Sequence, residues 1–159
     1  MPATLRLFAT QWSVRWYPSE AAEWSWSEKF YAMGDAGFDG LMSTPLPELN
    51  DRGDLDFWAI TSLGVGDDPR PFYEEATALG AAGATVQPCD VDTPLADCVD
   101  VVRNIQRIAD EFGLHTGIEC HRDTFTETPE RTWDLSDAYQ RAEHQLLPLC
   151  YSCLPLRRS

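Results

Sequence analysis

Positive charge is scarce in this sequence. Lys and Arg together number 12 against 26 Asp and Glu, a formal net charge of −14. The mean field therefore repels phosphate backbones, and free nucleic acid is set aside as a partner. Long apolar runs are missing too. Nothing approaches the roughly 18 consecutive apolar residues of a membrane helix, and Met1 to Trp12 has neither a basic start nor a long apolar run. The expectation is a soluble, cytoplasmic chain with no membrane partner. Cysteine is present without a framework: Cys89, Cys98, Cys120, Cys150 and Cys153 are an odd number at irregular spacings, in a chain of 159 residues that can fold without staples. Reduced thiols are expected. Cys150-Tyr151-Ser152-Cys153 lacks the second pair that a zinc site needs. Gly64-Val65-Gly66 is followed by Pro69 where a dinucleotide fingerprint carries its third glycine. Asp90-Val91-Asp92 leads to Leu95 where a calcium loop requires glycine, and neither a Walker lysine nor a His-Glu-x-x-His occurs.

What is present, 43% hydrophobic and 24% charged residues, suits one globular domain with a real core. Strand-like and helix-like runs alternate up to about residue 141, the pattern of a parallel sheet built from βα units. Five strands are predicted: Leu5 to Thr10, Phe38 to Met42, Leu55 to Thr61, Ala84 to Gln87 and Leu114 to Cys120. The first helix starts near Trp26 with capping-box spacing from Ser25 to Glu28, and Gly37 stops it. Ser43 to Asp54 holds too little periodic apolar sequence for a clear second helix. Further on, Pro71 suits a first helical position, with Phe72, Ala76 and Leu79 on one face and Gly83 closing the segment. Leu95, Cys98, Val99, Val102, Ile105, Ala109 and Phe112 form the strongest stripe, with Gly113 as its cap. Thr128-Pro129-Glu130 opens a last helix running to roughly Arg141.

Repeated βα units build either a doubly wound open sheet or a (β/α)8 barrel. A barrel takes roughly 250 residues, so five units leave three missing, and length by itself favours the open sheet. After Arg141 the character changes. Residues 142–159 show no settled period, two prolines and a basic end. They read equally as a terminal extension packed on the sheet and as a tail translated out of frame, with the catalytic half lost.

The densest polar cluster is Gly117-Ile118-Glu119-Cys120-His121-Arg122-Asp123-Thr124-Phe125-Thr126-Glu127-Thr128-Pro129-Glu130, at the carboxyl end of the fifth strand, where parallel α/β folds build their sites. Alternation puts His115, Gly117, Glu119 and His121 on one face and Thr116, Ile118 and Cys120 on the helix-covered other. A carboxylate and an imidazole two residues apart suit Mn²⁺, Mg²⁺ or Zn²⁺, but two donors are not a site. Equally, Glu119 can pair with Arg122 while His121 caps the following loop. Trp12, Trp16, Trp24 and Trp26 crowd the exit of the first strand. Trp12 can stack on a sugar or pack in a core or subunit contact. Gln87 can bind a substrate hydroxyl or its own loop, and Asp67 and Asp68 read as solvated charges.

This same segment resembles the fifth-strand region of the xylose-isomerase-like TIM barrels, the sugar phosphate isomerase/epimerase group that includes endonuclease IV. Leu5 to Trp12, Ala36-Gly37-Phe38-Asp39-Gly40 and Phe72 to Gly83 fit the family's opening units, extending the resemblance over residues 5 to 141. It implies a partial (β/α)8 barrel, a metal ligand at Glu119, a catalytic His121 beside the metal, and substrate contacts from Trp12, Gln87 and Arg122. The implied reaction is a metal-assisted proton or hydride shift on an aldose or ketose. Two departures set it apart: the family's further ligands come from strands six to eight, and Leu41-Met42 stands where many members carry a glutamate. The barrel reading expects an incomplete site, exposed sheet edges and a homo-oligomer. The alternative is a non-catalytic five-stranded α/β domain that binds a ligand or partner through its Trp-rich mouth. DNA repair within the same group is disfavoured by the net charge.

Overall fold

The predicted apolar runs pair into one sheet, and the order of pairing decides between the two architectures. The computed structural model describes residues 5–143 and, for residues 149–150, the backbone alone. Strands β1 (Phe8–Thr10), β2 (Gly40–Ser43), β3 (Asp56–Leu63), β4 (Ala81–Pro88), β5 (Thr116–Glu119) and the two-residue β6 (Leu149–Cys150) lie side by side in chain order, each parallel to the one before. A doubly wound sheet reverses its strand order at a switch point, whereas the staves of a barrel follow one another. The preference that length alone gave to the open sheet is therefore corrected: the chain is a partial (β/α)8 barrel. Most of the tail beyond Glu143, including Cys153 and the basic end, lies outside the described residues.

Helices α1 (Trp26–Asp35), α2 (Arg70–Ala78), α3 (Leu95–Glu111) and α4 (Pro129–Glu143) contribute to the core with one face of the sheet. The capping box of α1 forms as read: Glu28 N donates to Ser25 Oγ at 3.3 Å, and Ser25 N donates to Glu28 Oε2 at 2.8 Å. Along α3 the predicted stripe buries Cys98, Val99, Val102, Ile105 and Ala109, with Ile108 joining them. Its first member, Leu95, is instead about one-third exposed. These side chains meet Leu41, Phe57, Ala59, Ala84, Val86 and Ile118 from the outward face of the strands.

Of two local expectations, the absence of a clear second helix agrees with the structure and the closing glycine of α2 is corrected. The segment between β2 and β3 forms a 3-10 turn, Pro47–Asp51, that buries only Leu49. The glycine that ends α2 is Gly80, at φ +70°, while Gly83 sits inside β4. Gly83 is needed for a different reason. A Cβ there would lie 2.4 Å from Trp58 Cη2, because the indole crosses from β3 over its backbone. Trp58 Nε1 donates to Thr85 Oγ1 at 2.9 Å, and the Phe8 ring stands edge-on at 6.3 Å. Phe8, Trp58, Gly83 and Thr85 thus line the inward face, below the carboxyl ends of the strands.

Candidate functional site

Register places three polar side chains in a row at the carboxyl ends of β3, β4 and β5. Ser62 pairs with Gln87, and Val86 pairs with Ile118, so Gln87 and Glu119 follow on the same inward face. Ser62 Oγ donates to Gln87 Oε1 at 2.9 Å, and Gln87 Nε2 donates to Glu119 Oε2 at 3.1 Å. The direction is chemically forced. An ionised carboxylate only accepts, so the amide must turn its NH₂ toward Glu119 and its oxygen toward the hydroxyl. Glu119 is half-buried, and its Oε1 has no hydrogen-bond partner among the described residues. It is the free end of the row.

The loop leaving β5 is tied down by hydroxyls. Thr126 Oγ1 donates to Glu119 O at 2.6 Å, Thr124 Oγ1 donates to His121 O at 2.7 Å, and the two hydroxyls lie 3.0 Å apart. Both threonines are buried, so the chain on either side of Cys120 is held from beneath. Glu127 Oε2 closes the turn by accepting from Asp123 N at 2.8 Å. His121 Nδ1 lies 2.6 Å from Arg122 O. A carbonyl offers no proton, so Nδ1 carries the hydrogen of this bond and Nε2 is the ring nitrogen left outside it.

A cleft of about 550 Å³ opens over these ends, lined among others by Ser62, Gln87, Cys89, His121, Arg122 and Asp123. Among the described residues Arg122 is the only Lys or Arg in its lining. Among the described residues three non-glycine residues have positive φ, Trp16, Cys89 and Asp123, and two of these border this cleft. Backbone held in that sparsely populated region collects at functional sites.

The sequence-predicted residues are thus only partly assembled. Gln87 and Glu119 bond directly, and Gln87, His121 and Arg122 share the cleft, whose lining does not include Glu119. No hydrogen bond joins Glu119 to His121 or to Arg122 among the described residues. Trp12 stands apart on the 3-10 turn that follows β1, half exposed and outside the cleft lining. Ser62 was missed because the third strand was ended at Thr61, one residue short of the row. Asp67 and Asp68 are exposed, and Asp67 Oδ2 also accepts from Gly64 N at 2.7 Å. Among the described residues no three His, Cys, Asp or Glu side chains gather as a metal-holding group. By themselves these residues do not fit the divalent cation that the resemblance implies.

No family model and no curated protein matches the chain. Solved structures do. The probable 3-DHS dehydratase AsbF, involved in petrobactin synthesis, from Bacillus anthracis is similar with a TM-score of 0.57 at 15% identity, over 86% of this chain and 60% of that one. A D-tagatose 3-epimerase-like protein gives 0.55 at 16% identity, over 82% and 60%. A 2,3-dimethylmalate lyase of the PEP mutase/isocitrate lyase superfamily gives 0.51 at 13%, over 84% and 55%. The chain spans between 55% and 60% of the length of these structures. At such identities the likeness defines the fold: TIM-barrel architecture, with the Ser62–Gln87–Glu119 row at the strand ends where such barrels build their sites. Among the described residues no helix is long and apolar enough to cross a membrane.

Proposed function

We propose that the protein is an isomerase- or epimerase-like enzyme that moves a proton between adjacent carbons of a polyhydroxylated small molecule, a sugar or sugar phosphate. The observation that carries this reading is the ordered row from Ser62 through Gln87 to the open oxygen of Glu119, at the carboxyl ends of three neighbouring barrel strands. The similarity to an epimerase-like protein supports it. So does the chemistry of the cleft. Acidic and neutral oxygen acceptors suit hydroxyl groups, and Arg122 gives one anchor for an anionic substituent. In this reading Glu119 Oε1 orients the substrate hydroxyl beside the reacting carbon, and Gln87 fixes the carboxylate that does so. His121 Nε2 takes the proton from carbon. The electron pair moves onto the neighbouring carbonyl oxygen, and the proton returns to the adjacent carbon or to the opposite face. No step runs through a cation, because the described residues supply Glu119 without the companions a metal centre needs.

The exposed aromatics Trp12, Trp16 and Tyr17 favour the competing reading, a binding domain without catalysis. Solvent deuterium exchange separates the two. The full chain is incubated in D₂O with a panel of ketoses, aldoses and their phosphates, and each C–H next to a carbonyl is followed by proton NMR. Exchange at one such carbon supports the enzyme. Tight binding of a panel member with no exchange would establish the binding domain instead.

A further inference from the structure

Two loops that wall the cleft are fastened to each other. One leaves β4 and brings Asp90 and Thr93 to the lining, and the other leaves β5 and brings His121 to Thr124. Asp90 and Thr124 form an antiparallel bridge, and Phe125 N donates to Cys89 O at 3.1 Å. Arg131, the third residue of α4 and no part of the cleft lining, adds to this. Its Nη1 donates to Val91 O, its Nη2 donates to Thr93 O at 3.2 Å, and its guanidinium carbon lies 4.2 Å from the ring centre of Phe125, which is 3% exposed. One side chain thus grips two carbonyls of the first loop and an aromatic anchor of the second.

Helix stability gives no reason for an arginine at this position. A cation in the first turn opposes the helix dipole, and among the described residues no ion pair includes Arg131. Its hydrogen bonds go to the neighbouring loop instead. A planar fork is what this contact requires, because a lysine ammonium is a point charge that neither spans the two carbonyls in a fixed plane nor stacks on the ring.

We propose that Arg131 is a positioning residue of the candidate site. By clamping the β4–α3 loop onto the β5–α4 loop it fixes Asp90 and Thr93 on one wall of the cleft against His121 and Arg122 on the other, and so sets how well a substrate fits between them. The inference rests on the reading of this cleft as a substrate site. Arg131 acts through the loops and touches no reacting atom.

Arg131→Lys keeps the stem and the charge without the fork, and Arg131→Met keeps the stem alone. Each is compared with the wild-type full chain in two ways: amide hydrogen exchange read by mass spectrometry without ligand, and deuterium wash-in across concentrations of the responding sugar. Exchange in peptides covering 89–95 and 121–126 should speed up at least about tenfold in both variants, with α1 amides as slow as in wild type. The half-saturating sugar concentration should rise at least about tenfold while the limiting rate stays within about threefold, since the clamp shapes binding and takes no part in the proton shift. Arg131→Lys behaving as wild type, exchange unchanged in the two loops or raised equally in α1, or an unchanged half-saturating concentration would overturn the proposal. If no panel sugar exchanges in wild type, the proposed reaction fails, and the amides alone decide the clamp by the same criteria.

Discussion

Replacing Gly83 by alanine places one methyl group where the floor of the barrel has no room. The added Cβ would fall 2.4 to 2.9 Å from three carbons of the Trp58 ring edge. The indole cannot swing aside freely, because Nε1 is anchored on Thr85, which is 2% exposed, and Phe8 stands against the ring. Overpacking of this kind costs about 1–3 kcal/mol. If the ring yields, breaking its hydrogen bond to buried Thr85 adds about 1–3 kcal/mol, while the lower chain entropy of alanine in the unfolded state offsets about 0.5–1 kcal/mol. The net expectation is a loss of about 2–4 kcal/mol, or a fall in Tm of roughly 5–15 °C for a domain of this size. Urea unfolding followed by circular dichroism measures it. In a Trp58→Phe background the same alanine should cost at least about 1 kcal/mol less, since the smaller ring vacates the space. A Gly83→Ala protein within about 0.5 kcal/mol of wild type would refute the packing argument.

Tyr73 gives a pH signature. Burial raises its phenol to about 12, against the opposing hydrogen bond to Thr116. The unfolded chain therefore loses this proton near pH 10 while the folded chain retains it, and stability falls by roughly 2–3 kcal/mol as pH rises from 10 to 12. Tyr73→Phe should lack that part of the slope in urea midpoints measured at pH 9 and 11.5; an unchanged slope would contradict the assignment. Ser25→Ala removes the hydroxyl that caps α1 and should cost about 1 kcal/mol of unfolding free energy. An effect below about 0.3 kcal/mol would show that the capping box contributes little there. Gln87→Leu keeps the volume of the middle side chain but frees Glu119 from its donor. Any exchange activity should fall more than tenfold with Tm nearly unchanged, and equal activity would show that the Ser62–Gln87–Glu119 row does not position the carboxylate.

Legibility in the sequence followed the strength of local signals. Ser25, Gly37 and Gly113 mark element ends through chemistry confined to a few neighbours, and the structure places them as read. The period of α3 runs over 17 residues, enough to outweigh any single misplaced side chain. Gly83 was misread as a terminator because a glycine required by a side chain 25 positions away looks the same in sequence as one required by a turn. Strand alternation correctly set Glu119 apart from Ile118 and Cys120, but its partner was not foreseen. Arg122 is nearer in sequence, whereas Gln87 is brought to Glu119 by register 32 positions away. Barrel versus open sheet also turned on register: the strand order, not the number of units, distinguishes them.

The account rests on the Glu119 carboxylate, hydrogen-bonded to Gln87 of the cleft wall, acting on a ligand at the strand ends. Its most direct test is the rate of deuterium wash-in to the responding sugar, compared between wild type and Glu119→Gln proteins of matched Tm. Glutamine keeps the shape and a hydrogen bond toward Gln87 while removing the charge. The account predicts a rate at least about 100-fold lower in the variant. A rate within about twofold of wild type would contradict it and remove Glu119 from the site.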